Sequence, residues 1–390
     1  MISYDLIKTL KTQILENIPK VEEPFVSQAI HQQVSNLNHL SIDDKMALKA
    51  TLWDTIFKYD VIQPLLDDEN ISEIMINGPQ NIFVEREGQL EAVDFKFSNH
   101  DHLMSLVHKI ATEIDRPINT GTPIMDARLK DGSRVNIVIE PVALNGPVVT
   151  IRKFKQTFNN PDELIQTQML SKPLADFLKL CIQSKFNIFI CGSTGSGKTT
   201  LLNCLTHYIP SSERLVTIED AAELQIQNHD NLVSLEVKKS NTNQQSVTIS
   251  HLIKNALRMR PDRIIVGEVR GEEVVDMLQA MNTGHEGSLS TGHSNSGMDM
   301  LTRLEVIASS HSDINHTLIR RQIISAIDLI IFIERLPSGK RKITEVSEVF
   351  KNETDYVLNK IFDFYDPSSR SKNDFEVELV NKHKLRRAFI

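Results

Sequence analysis

A chain of 390 residues, 40% hydrophobic and 24% charged, is long enough for two globular domains and too evenly mixed for a disordered or fibrous protein. Its net charge of −8 argues against non-specific coating of nucleic acid, so nucleic acid is not expected as a direct ligand. The cysteines Cys181, Cys191 and Cys204 form neither a disulfide frame nor a metal set, and no apolar run approaches the ~18 residues of a membrane helix, so a cytoplasmic protein is expected.

Residues 1–66 are predicted to be a small helical appendage. Leu6, Ile7, Leu10, Ile14 and Leu15 share one helical face, Pro19 and Pro24 interrupt it, and Ser41 caps a helix over Lys45 to Lys58. From about Asp67 the pattern changes to short strand-like runs at Ile71 to Ile76, Asn81 to Glu85 and Leu90 to Phe95, punctuated by Asn77-Gly78-Pro79 and Glu87-Gly88. A helix over Asp101 to Ile114 and strands at Ile124 to Leu129, Ser133 to Glu140 and Pro147 to Arg152 complete an α+β domain over 67–154. Lys155 to Asp162 reads as a linker, and 163–365 as an α/β domain. There strands at Phe186 to Cys191, Arg214 to Ile218, Leu232 to Val237, Arg263 to Val266, Ser288 to Thr291 and Asp328 to Ile333 alternate with helices, and a polar loop covers Lys238 to Gln245. Such alternation gives a largely parallel sheet covered on both faces. Lys342 to Phe364 is expected as antiparallel strands or a short helix, and 366–390 as a polar, mobile tail.

The chemistry centres on Gly192-Ser193-Thr194-Gly195-Ser196-Gly197-Lys198-Thr199-Thr200, a G-x-x-x-x-G-K-T loop between a strand and a helix. Its glycines let backbone N–H groups close on an anion, and the helix start adds a positive end. Lys198 carries a full charge to the β/γ-phosphates, and the Thr199 hydroxyl suits Mg²⁺. A dinucleotide fold would use the glycines, with Glu219 in the place of a ribose-binding acid. It would have no use for Lys198-Thr199.

Arg263 to Glu268 is an apolar strand ending in an acid, suited to orienting the attacking water, although Gly267 stands where many nucleotide triphosphatases have a magnesium-binding Asp. The alternative for Glu268 is to cap the helix after Gly271. Glu219-Asp220, with Glu223 behind them, end another strand; they suit Mg²⁺ held through water or replacement of the missing Asp, and a helix cap is the alternative. Gly284 to His293 brings His285 and His293 among glycines and hydroxyls, suited to a phosphate. A metal is the weaker reading, because no third ligand follows at zinc spacing.

Taken together, Gly192 to Thr199, Thr217 to Leu224, Leu257 to Glu272 and Gly284 to His293 resemble, in order, the Walker A, aspartate-box, Walker B and histidine-box motifs of the secretion ATPase superfamily of type II secretion, type IV pili, archaeal motility filaments and type IV secretion. Asp60 to Pro79, Ile82 to Gly88 and Asp126 to Arg134 are similar to its Tad/Flp pilus branch, called CpaF or TadA. The resemblance implies a RecA-like ATPase domain behind an α+β N-terminal domain, ATP and Mg²⁺ as ligands, and a homohexameric ring. The ring would work with inner-membrane platform proteins as a peripheral motor at the inner face of the cytoplasmic membrane. It also implies catalytic roles for Lys198, Glu219, Glu268 and His293, phosphate-binding roles for Gly192 to Thr200 and His285, Mg²⁺ contact by Thr199 and Glu219, and γ-phosphate contact by Arg134, Arg152 and Arg128. Whether Glu268 or Glu219 is the main catalytic acid stays open. A VirB11-like type IV secretion ATPase and a nucleotide-dependent docking module with negligible turnover are the alternatives. The four-cysteine zinc insertion of many type II secretion relatives is absent.

Overall fold

The computed structural model describes residues 4–38, 40–86, 88–154, 158, 160–227, 229–238, 246–312, 314–352, 355–372, 375, 378–380 and 382–389. The chain forms two compact units, Met1–Gln156 and Thr157–Ile390.

The first unit begins with helices α1 (Tyr4–Asn17), α2 (Glu23–Ser35) and α3 (Ile42–Phe57). The expected face of α1 is the buried one: Leu10 and Ile14 pack with Val26, Ile30 and Val34 of α2 and Leu48 and Leu52 of α3 in a small core of their own. Pro24 opens α2, where its missing N–H costs nothing, and the Ser41 side chain accepts the Asp44 N–H at the start of α3. The far end of α3 is held by Lys109, whose Nζ donates to the carbonyls of Thr55 and Ile56.

A short helix α4 (Gln63–Asp67) leads into strands β1 (Ile71–Asn77), β2 (Ile82–Arg86) and β3 (Gln89–Val93). Helix α5 (His100–Glu113) is followed by β4 (Ile124–Arg128), β5 (Arg134–Val138) and β6 (Val148–Arg152). The six strands form one antiparallel sheet in the order β3-β2-β1-β6-β5-β4. Alternate residues such as Ile74 and Ile76, Val135 and Ile137, and Val149 and Ile151 point to one face. There they bury against Leu103, Leu106, Val107 and Ile110 of α5.

Helix α6 (Pro161–Gln166), with Asn160 and Glu163 in a reciprocal capping box, begins inside the stretch 155–162 that reads as the linker. Residues 155–157 and 159 of that stretch lie outside the described residues, as do Glu87 and most of the polar loop, 239–245. The order continues α7 (Lys172–Gln183), β7 (Ile188–Gly192), α8 (Lys198–Thr206), β8 (Leu215–Glu219), β9 (Leu232–Glu236), α9 (Ile249–Ala256), β10 (Arg263–Val266), α10 (Glu273–Asn282) and β11 (Leu289–Gly292). After these come α11 (Gly297–Ser310), α12 (His316–Ala326), β12 (Leu329–Arg335), β13 (Arg341–Asn352), β14 (Asp355–Asp363) and α13 (Pro367–Arg370).

The eight-stranded sheet runs β14-β13-β12-β7-β11-β10-β8-β9. From β12 to β9 every pairing is parallel, and β13 and β14 add an antiparallel edge. Every residue of β7, β8, β10 and β11 is buried, as expected of central strands covered by helices on both faces. Two hydrophobic clusters fill those faces, one around Leu178, Leu201 and Ile331 and the other around Ile253, Leu278 and Leu304.

The expectation of a mobile polar tail is corrected. Phe375, Leu379 and Leu385 are buried in the first of these clusters, and the Phe375 ring lies 5.9 Å from both Phe177 and Phe362. Lys384 pairs with the largely buried Asp328. The apolar residues of the tail are too sparse to show a period, but they are enough to seal the end of the sheet.

Candidate active site

Strand β7 delivers the chain to the glycine loop at its C-terminal end, where helices and ligands meet in open parallel sheets. At Gly192, φ is +153°, and a Cβ would stand 2.2 Å from the Ile333 carbonyl oxygen of the neighbouring β12, so any side chain there would force the sheet apart. Gly197, at φ +99°, turns the chain into α8. The Ser193, Thr194 and Gly195 crest is exposed, Thr199 and Thr200 lie half-buried in the first turn of α8, and the buried Ser196 hydroxyl has no hydrogen-bond partner. A glycine-lined cradle with an unspent buried hydroxyl at the start of a nine-residue helix fits a phosphate chain.

Lys198 is itself buried. Its Nζ donates to the carbonyls of Gly192 at 3.1 Å and Ser193 at 2.9 Å, and reaches His293 Nδ1 at 3.1 Å. On its other side, His293 Nε2 lies 3.1 Å from Glu268 Oε1. An ammonium can only donate, so Nδ1 accepts, and the ring proton on Nε2 is donated to Glu268. The result is a continuous chain from the loop lysine through the histidine to the acid. The strand order explains it: β11 runs between β7 and β10, so the residue leaving β11 falls between those leaving the other two. Thr291 of β11 fixes the acid's approach by donating its hydroxyl to the Gly267 carbonyl at 2.6 Å. Burial pushes the Lys198 pKa down, opposed first by Glu268. Burial likewise holds the Cys191 thiol up at about 12, so this cysteine beside the loop stays a protonated, inert filler.

The capping task weighed for Glu268 belongs to Glu273, whose Oε1 accepts the N–H groups of Arg270 at 2.6 Å and Gly271 at 2.8 Å. Glu268 is thereby left facing His293. Glu219 ends β8 against Gly267: a Cβ at 267 would meet its Cγ at 2.9 Å, so the space an Asp at 267 would need is already filled by Glu219. Glu219 Oε1 also accepts from the N–H groups of Glu223 and Leu224, pinning the loop after β8. Asp220 pairs with Arg270 at 2.6 Å. Of the acids after β8, Glu223 is the one whose charge is felt at Lys198.

His285 is not brought to the loop: it precedes the N-terminal end of β11, whereas the glycine loop and His293 follow the C-terminal ends of β7 and β11. Its neighbours are structural: Asn187 Oδ1 accepts from Gly287 and Ser288, and Arg263 donates to the Gly287 carbonyl. Strand β11 thus separates His285 from His293.

Among the described residues no group of three His, Cys, Asp or Glu side chains could hold a metal by itself. A magnesium ion at Thr199 would thus take much of its shell from phosphate oxygens and water.

In the first unit the three arginines singled out in the sequence share one rung of the sheet. Arg134 of β5 is directly paired with Arg128 of β4 and with Arg152 of β6, and Arg152 is paired in turn with Glu73 of β1. Directly paired residues point to the same side. Glu73 puts one negative charge at the end of this rung.

One residue had no sequence signal. Arg341, at the start of β13, donates Nε to the Gly195 carbonyl at 2.9 Å and packs against Gly197. It is far downstream on a polar hairpin, and only sheet pairing brings it to the loop.

Residues 57–359 match the family model described as type II/IV secretion system protein. The conjugal transfer protein TrbB of Rhizobium radiobacter is 36% identical over 285 residues, which is 71% of this chain and 83% of that protein. The type IV secretion system protein PtlH of Bordetella pertussis is 32% identical over 319 residues, covering 74% of this chain and 94% of PtlH. The crystal structure of the pilus retraction motor PilT with bound ADP matches the fold with a TM-score of 0.56 at 20% identity, over 84% of this chain and 87% of that one. With four motifs in order on a RecA-like sheet and a family match over most of its length, the chain belongs to the type II/IV secretion ATPase family.

Proposed function

We propose that this protein binds ATP with Mg²⁺ at the glycine loop and hydrolyses it to drive a secretion or pilus machine. The observation that carries this reading is the Lys198–His293–Glu268 chain, which ties the phosphate-binding lysine to the acid that would orient water. Lys198 would leave the Gly192 and Ser193 carbonyls for the β/γ-phosphates. Glu268 would then take the attacking water, with His293 holding the carboxylate in place. The magnesium ion supplies charge neutralisation at the phosphate oxygens, next to Thr199. Glu219, beside Gly267, is the acid available to hold its water shell. Arg134, Arg152 and Arg128 are proposed as the cations that meet the γ-phosphate and report its loss. The working form would be a homohexamer, peripheral at the cytoplasmic membrane and docked on platform proteins of that membrane. No helix among the described residues is long and apolar enough to cross it.

Two machines suit this motor. Residues 60–79, 82–88 and 126–134 support a Tad/Flp pilus assembly ATPase. The similarity to TrbB and PtlH favours, as a second reading, a type IV secretion ATPase. Phosphate release by the purified chain with ATP and Mg²⁺, measured with its size in solution, tests the shared core. A chain that binds ATP without turnover, with Lys198 and Glu268 intact, would instead be a docking module.

A further inference from the structure

A cavity of ≈ 200 Å³ lies inside the first unit, between α1, the end of α3, Asp60 and the start of α5. The family match begins at residue 57, so the side that α1 and α3 supply stands outside it. One stripe of α1 at helical spacing, Tyr4, Ile7, Lys8, Lys11 and Leu15, forms most of that side: an apolar wall carrying two ammonium groups.

The charges around the cavity are unevenly matched. Lys11 is half-buried, and its Nζ donates to a neutral oxygen, the Thr55 carbonyl, at 3.3 Å. Lys109 of α5 donates to the same carbonyl at 3.1 Å. Burial pushes both lysine pKa values down, that of Lys109 to about 8, and the Lys11 charge lowers the Lys109 value further. The acids close by have partners of their own: Glu113 accepts the Tyr59 hydroxyl at 2.9 Å, and Asp54 pairs with Lys58 at 3.1 Å. Asp60, the acid on the cavity wall, attracts Lys11 through space, but its Oδ2 meets His102 Nε2 at 2.7 Å. His102 Nδ1 accepts the Ser98 N–H, so the proton on Nε2 goes to Asp60. The hydroxyls on the wall spend their protons within the protein. Thr12 donates to the Lys8 carbonyl, Thr55 to the Thr51 carbonyl, Ser105 to the Asp101 carbonyl, and Tyr4 to Ser105. The lysines are thus the donors this wall offers to a ligand. Three lysines against one carboxylate leave an excess of about two positive charges, close to the charge a phosphate monoester would cancel at neutral pH.

We propose that this cavity binds a small phosphorylated metabolite, with its phosphate on Lys8 and Lys11 and its organic body against Tyr4, Ile7 and Leu15. The volume suits a phosphate monoester of a few carbons. Bound there, the phosphate joins α1 to the end of α3 and the start of α5, and so fastens the helical appendage to the α+β part of the unit. The proposal does not rest on the ATP reading, because the glycine loop belongs to the other unit.

Trp53, the one tryptophan of the chain, lies on α3, and its fluorescence follows unfolding of the first unit. The test is a series of urea melts of the full chain read at Trp53 with rising glycerol 3-phosphate, at ionic strength held constant with KCl. A ligand of the folded unit raises its midpoint by mass action, and the rise gives the affinity. Lys11→Met should weaken that affinity about tenfold or more, the loss of a charge-assisted hydrogen bond. Lys8→Met should weaken it about threefold, because the Lys8 side chain is exposed and screened. Lys11→Gln decides the matter if the methionine variant fails to fold, and Lys11→Arg should restore most of the shift. Lys198→Ala should behave as the parent does. The proposal would be overturned by a midpoint that does not rise, by parent-like affinity without the Lys11 charge, by a shift lost in Lys198→Ala, or by an equal shift with potassium acetate.

Discussion

Replacing Glu268 by Gln removes the carboxylate charge while keeping the size and one hydrogen-bonding oxygen for His293. The His293–Glu268 contact is 3.1 Å with both side chains 35% exposed, so solvent screens it. A pair of that exposure is worth roughly 0–1 kcal/mol, so the fold should be nearly as stable as the parent's. Lys198 keeps its carbonyl partners in the loop, and ATP affinity should change little. The rate should not be spared: a carboxylate that positions and deprotonates water contributes roughly 10²–10⁴-fold, and the amide cannot take the proton. Single-turnover hydrolysis with excess enzyme, beside a binding titration and a urea melt, separates the three quantities. A hydrolysis rate within tenfold of the parent's, with binding intact, would refute Glu268 as the acid, and Glu219 or Glu223 would be tested next.

Lys198→Ala should abolish tight ATP binding by calorimetry without unfolding the domain; retained affinity would separate the loop from the site. Changing Arg134 and Arg152 together to Ala should lower hydrolysis and narrow the discrimination between ATP and ADP, with unchanged discrimination counting against their role at the γ-phosphate. Phe375→Ala should cost about 3–5 kcal/mol in denaturant unfolding, as for other buried aromatics, and a loss under about 1 kcal/mol would mean the C-terminal segment is not part of the core. The Asp328 pKa is raised by burial and partly restored by Lys384, so the folded state holds this proton more tightly than the unfolded chain. Stability from this group is therefore fully present below the ordinary Asp range and falls as pH rises through that range toward the raised folded value. Lys384→Met should destabilise least in acid, where Asp328 is protonated, and most near neutrality; a pH-independent loss in urea melts would contradict the pairing.

The local chemistry was legible in the sequence because it depends on neighbours along the chain. The glycine loop needs its strand before and its helix after, and Gly192 to Thr200 carry both. Alternation of apolar strands and amphipathic helices was enough for a parallel sheet, and Ser41 marked a helix start by side-chain chemistry alone, whereas Asn160, read as linker, and Pro24, read as an interruption, also open helices. What the sequence could not decide was adjacency across strands. The order of β7, β11 and β10 puts His293 between Lys198 and Glu268, and the length of β11 separates it from His285, although the two histidines share one motif. The rung of Arg128, Arg134 and Arg152, the reach of Arg341 to Gly195, and the filling of the space beside Gly267 by Glu219 are likewise set by sheet register. Phe375, Leu379 and Leu385 are too scattered to signal a core, and they are buried only because the folded sheet presents an open apolar end for them to cover. Local propensity acts over a few residues, whereas these contacts join segments far apart in the chain that only the closed sheet brings together.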